Sequence, residues 1–187
     1  MLEIVQYPNP ELKKKSEPVA AVNKDTRDLI SAMFETMYAA NGVGLAAPQV
    51  GIHQQILVID VGRMENEQTR PDPIALINPH FETQEGKLTW EEGCLSLPNL
   101  IVPVERSAQV IVKALNPDGK AIKILGEQLL AVALQHEIDH LNGILLVDRL
   151  SSLKRSLYRR KLLKHEKIEE HIQAPSPAMA QRKPYLG

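Results

Sequence analysis

The chain holds a single cysteine, Cys94, so no intramolecular disulfide can form and no disulfide framework carries the fold. Long apolar runs are missing as well. The longest extends only from Leu129 to Leu134, far short of the roughly 20 residues that cross a bilayer. An excess of one charge is also absent, since 22 Lys and Arg stand against 23 Asp and Glu, a balance that does not suggest whole-domain capture of nucleic acid. The amino end resembles neither a secretory signal nor a transit peptide, and with one thiol the expected compartment is the reducing cytoplasm. What remains is an ordinary globular composition. At 187 residues with 43% hydrophobic and 24% charged side chains, the chain is sized for one domain able to bury about 70% of its unfolded surface.

Prolines 8, 10 and 18 break every period in residues 1–22 and leave room only for a short turn over Glu11 to Lys15. A helix follows, capped by Asn23 or Asp25, with Leu29, Ile30, Met33, Phe34, Met37 and Tyr38 at helical spacing as core residues, stopped by Asn41-Gly42. Strands are expected at Ile56 to Ile59, Ile74 to Ile77, Val110 to Leu115 and Ala121 to Leu125, with a turn at Asn116-Pro117-Asp118-Gly119 and an exposed loop over Gly62 to Pro73. Glu127 to Leu141 reads as a helix apolar nearly all round, and such a helix sits inside a protein. A second long helix starts at Ser151 or Ser152 and runs to about Gln173, with a mobile tail expected over residues 174–187. Helices at both ends with strands between give an α+β fold.

Gln135-His136-Glu137-Ile138-Asp139-His140 puts two imidazoles four residues apart on the apolar helix. Residues at i and i+4 lie above one another, so both rings can reach one metal ion with Glu137 beside it. Unpaired polar groups buried there would cost about 1 to 3 kcal/mol each, and a divalent cation satisfies several together. Two imidazoles call for a third protein ligand with a position left open for water. Leu141 to Leu146 supplies none, which leaves Asp148 and Cys94. A free Cys is by default a small buried hydrophobe, but Gly93 beside the thiol allows close approach of metal and substrate and favours a ligand. The glycine-rich Gly42 to Gly51 lacks the pattern of a phosphate cradle or a dinucleotide site. It offers backbone amides and the Gln49 side-chain amide, donors suited to a developing oxyanion.

Together GVGLAAPQVG (Gly42 to Gly51), EGCLSLP (Glu92 to Pro98) and QHEIDH (Gln135 to His140) resemble, in this order, the three signature motifs of the peptide deformylase family, and the likeness runs over residues 1–150. The resemblance implies a compact α+β domain over residues 1–173, its antiparallel or mixed strands packed around a buried metal-binding helix, with a C-terminal helix from about 151. It implies a hydrolase that removes the formyl group from the N-terminal formylmethionine of new polypeptides and releases formate. Cys94, His136 and His140 would hold one divalent metal, Fe(II) in the cell, with Zn, Ni or Co in isolated protein. Glu137 would be the acid/base, and Gln49 with the backbone amide of Leu95 would face the oxyanion. Val43, Gly44, Trp90, Gly93, Leu129, Val132 and Ala133 would form the methionine pocket. Arg106 falls where the family pairs an Arg with the Glu before Gly-Cys, so Glu92 and Arg106 are expected to brace the Cys94 segment. Ile101 departs from an Arg that many relatives use to hold the substrate backbone. The basic helix of Lys154, Arg155, Arg159, Arg160, Lys161, Lys164 and Lys167 is either a solvated face or a docking surface for the ribosome, as in some relatives. Three rivals remain at this point: a metallopeptidase, a thiol hydrolase using Cys94, and a non-catalytic peptide- or ribosome-binding relative.

Overall fold

The computed structural model describes residues 1–65 and 68–173; the expected mobile tail lies outside them. One compact unit spans Met1–Arg149 and a second begins at Leu150. In the first, Asn23 opens helix α1 (Lys24–Ala39) with a capping box: its side chain accepts from the Thr26 amide, and the Thr26 hydroxyl takes the Asn23 amide. The strands follow: β1 (Gly44–Ala46), β2 (Ile56–Ile59), β3 (Arg63–Glu65), β4 (Gln68–Arg70), β5 (Ile74–Glu85), β6 (Leu88–Cys94), β7 (Leu97–Arg106), β8 (Gln109–Leu115) and β9 (Ala121–Glu127). The apolar helix is α2 (Gln128–Leu141). Single turns of 3-10 helix occur at Pro10–Lys13, Ala47–Val50 and Leu146–Arg149.

Five strands form one sheet in the order β1-β2-β5-β8-β9, and every ladder is antiparallel. The sheet is covered on both faces. Leu57, Ile59, Leu76, Val110 and Val112 pack with Ala131, Leu134, Ile138 and Leu141 of α2. Ile56, Val58 and Ile77 pack with Ile30, Met33 and Met37 of α1. A strand buried on both sides has no polar face, which is why β2 reads Ile-Leu-Val-Ile without alternation. The result is an α1/sheet/α2 sandwich with α2 inside, as its all-round apolarity requires.

Three local readings change. Tyr38, expected in the core, is 48% exposed and donates its hydroxyl to Asp60 Oδ2 at 2.6 Å, a polar tip at the edge of an apolar helix face. The expected loop at 62–73 contains the short β3–β4 ladder. The unforeseen β6–β7 hairpin is a separate two-stranded sheet that carries Cys94 at its turn.

In the second unit, α3 (Ser152–Gln173) begins where expected. The Ser151 hydroxyl accepts from the Lys154 amide at 3.4 Å at its start. Among the described residues no helix is long and apolar enough to cross a membrane.

Candidate metal centre and active site

Helix α2 carries His136, Glu137 and His140 in its buried stretch. The β6–β7 ladder pairs Glu92 with Val102 and then Cys94 with Leu97, a register shift immediately before the thiol. Cys94 Sγ lies 3.2 Å from His140 Nε2, which lies 3.2 Å from His136 Nε2. All three ligand atoms fall within 4.8 Å of one another. The other candidate third ligand, Asp148, accepts from the Leu145 amide at 2.8 Å and pairs with Lys13. The His136 ring uses Nδ1 on Glu92 Oε2 at 2.8 Å, leaving Nε2 to face the other two atoms. A sulfur and two ring nitrogens whose lone pairs converge suit a divalent cation of borderline softness. The two imidazoles are shifted in opposite directions. Burial disfavours a charge on His136, yet hydrogen bonds to Cys94 and Glu92 and the charges of Glu137 and Cys94 hold its pKa well above the ordinary imidazole value. Burial, then the charges of His136 and Arg106, keep His140 well below it.

Burial pushes the Glu137 carboxyl up to about 7. Its Oε2, buried, has no hydrogen-bond partner among the described residues. Gln49 is 1% exposed and fixed at both ends of its amide: Oε1 accepts from the Ala46 amide at 2.8 Å, while Nε2 lies 3.2 Å from Ser96 Oγ and 3.7 Å from Cys94 Sγ. Leu95 occupies the hairpin turn beside the thiol. These groups line a cleft of about 520 Å³ that contains every residue expected in the methionine pocket: Val43, Gly44, Trp90, Gly93, Leu129, Val132 and Ala133. Ile101, 70% exposed, also lines it, together with Asn41, Glu91, Asn99 and Leu100, which sequence reasoning did not single out.

Behind the candidate ligands runs a charged chain. Arg106 grips both oxygens of Glu92, at 2.7 and 2.9 Å, and reaches Asp139 Oδ2 at 2.6 Å. Arg149 donates to the same oxygen at 2.7 Å. Burial alone would raise the Glu92 carboxyl, but Arg106 and His136 bring it below the usual range. The Glu92–Arg106 pair was expected; Asp139 and Arg149 were not. The available signal was a further carboxylate on the apolar helix, which needed a cation.

A family model described as Polypeptide deformylase matches residues 1–156. A peptide deformylase of Thermodesulfovibrio yellowstonii is 52% identical over 161 residues, which is 86% of this chain and 96% of that one. A crystal structure of a peptide deformylase from Legionella pneumophila superposes with a TM-score of 0.82 at 43% identity, covering 94% of this chain and 99% of that one. One from Ehrlichia chaffeensis in complex with actinonin gives 0.83 at 39% identity, covering 89% and 98%. The chain belongs to the peptide deformylase family, metal-dependent hydrolases that remove the formyl group from the N-terminal formylmethionine of nascent polypeptides.

Proposed function

We propose that Cys94, His136 and His140 hold one divalent cation, Fe(II) in the cell, and that the chain acts with it in the cytoplasm on N-formylmethionyl nascent peptides. The observation that carries this reading is the convergence of the three ligand atoms within 4.8 Å beside a cleft of about 520 Å³. Zn, Ni or Co also suit a thiolate and two imidazoles, and affinity order alone would favour Zn over Fe(II). The reading of Fe(II) rests on the family.

When bound, such a cation makes water nucleophilic at neutral pH and polarises a carbonyl oxygen. The rest of the chemistry belongs to the chain. Glu137, with an oxygen that has no hydrogen-bond partner among the described residues, takes the water proton during attack and passes it to the departing amine. The Gln49 amide and the Leu95 N–H stabilise the oxyanion; loss of one such donor costs about 3 to 4 kcal/mol. The apolar wall of Val43, Trp90, Leu129, Val132 and Ala133, opened by Gly44 and Gly93, takes the methionine side chain, whose thioether needs no polar partner. Glu92, held by Arg106, orients His136 and braces the Cys94 segment. Helix α3 docks the enzyme on the ribosome through its basic residues.

Metal analysis of anaerobically purified protein, alongside formate release from a formyl-Met dipeptide, tests the reading. One equivalent of iron, with activity lost on chelation and restored by Fe(II), is expected. Undiminished activity after chelation would overturn it and favour the thiol hydrolase.

A further inference from the structure

The arm ahead of the first 3-10 turn touches both segments assigned as oxyanion donors. The Val5 amide donates to the Gln49 carbonyl at 2.8 Å, and the Tyr7 amide donates to the Ser96 carbonyl at 2.8 Å. Between them Gln6 donates its side-chain amide to the Leu95 carbonyl at 3.0 Å and to its neighbour Ile4 at 3.4 Å. The arm is tied to α1 at its start, where the Leu2 amide donates to Thr36 Oγ1 at 2.8 Å, and at its far end the Asn9 side chain caps the Pro10–Lys13 turn by accepting from the Glu11 amide at 2.9 Å.

Gln49 and Ser96 are 47 residues apart in sequence, on a 3-10 turn and on a hairpin tip. Three consecutive residues of the arm grip both elements and so set the spacing between them. Oxyanion donors work only when held 2.7 to 3.1 Å from the position the oxygen will occupy, so a loose hairpin tip loses catalysis before it loses substrate. We infer that the arm is a brace for the oxyanion donors and that Gln6 is a positioning residue for deformylation, acting through the Leu95 carbonyl. The inference rests on the reading of Gln49 and Leu95 as those donors.

Gln6 is exposed, so water replaces its bond to Leu95 when it is removed, and stability changes little. That separates positioning from folding. Gln6→Glu keeps the length and loses the donor. It should lower kcat about 3- to 10-fold, with KM for a formyl-Met dipeptide, metal content and thermal midpoint unchanged. Gln6→Lys restores a donor on a flexible stem and should recover more than half of that loss. Gln49→Leu, measured beside them, should lower kcat about 100-fold. If Gln49→Leu is slow while Gln6→Glu turns over at the wild-type rate, the brace fails and the donor reading stands. If Gln49→Leu is fast, both fail. A Gln6→Glu defect that tracks lost metal or a lowered thermal midpoint, or one that Gln6→Lys leaves uncorrected, also overturns the brace.

Discussion

A Cβ placed on Gly44 would sit 2.3 Å from Glu137 Oε1, 2.9 Å from its Cδ and 3.0 Å from its Cγ. The obstacle is the end of a side chain rather than backbone, so the protein accommodates the methyl by swinging the carboxylate away. Gly44→Ala should therefore fold and load metal but lose at least about tenfold in kcat, since general acid/base catalysis contributes about 10² to 10⁴ and depends on position. A variant with wild-type kcat would show that Glu137 has room to spare. Glu137→Gln removes the proton carrier without changing the shape. It should retain its full complement of metal and lose about 10² to 10⁴ in kcat, measured by formate release. A fast Glu137→Gln enzyme would remove Glu137 from the mechanism.

At the scale of elements, the centre depends on holding a hairpin against a helix. Glu92 joins them: it is 4% exposed, accepts two bonds from Arg106 and one from His136, and sits two residues before Cys94. Partners that orient ligating histidines are worth about 10- to 100-fold in metal affinity. Glu92→Gln should weaken metal binding by that factor in a competition with a chelator of known affinity; unchanged affinity would make the pair a packing feature only. The helix half of this joint was legible in the sequence. His136 and His140 at i and i+4 within an apolar run left little else for α2 to be. The hairpin half was hidden. Pro98 and Pro103 fall inside β7, which among the described residues has a partner on one edge only, where proline is tolerated, and its burial alternates through Leu100, Val102, Val104 and Arg106. Local pattern left Asp148 and Cys94 as candidates for the third ligand, with Gly93 favouring the thiol. The tertiary approach of the hairpin turn to α2 groups Cys94, not Asp148, with the two imidazoles as a set that could hold a metal ion, a long-range contact that local periodicity does not encode.

At the scale of the whole molecule, the ligand atoms, Glu137 and the cleft all belong to Met1–Arg149, while the strongest concentration of positive charge belongs to α3. Seven Lys and Arg against three Glu fall within Ser152–Gln173, in a chain whose overall balance is close to neutral. Leu153 is 69% and Leu157 45% exposed on the same helix, which gives an apolar strip beside the charge. Chemistry on a dipeptide needs none of this, whereas capture of a polyanionic particle would need all of it. Replacing Lys154, Arg155, Arg159 and Arg160 together by Ala should leave kcat/KM for a formyl-Met dipeptide unchanged and abolish co-sedimentation with ribosomes. If four phosphates are contacted, affinity of the unaltered chain should fall about 50- to 150-fold between 50 and 200 mM salt, and the quadruple variant should lose that slope. Salt-insensitive or absent sedimentation of the unaltered chain would leave α3 a solvated helix with no part in delivery to the nascent peptide.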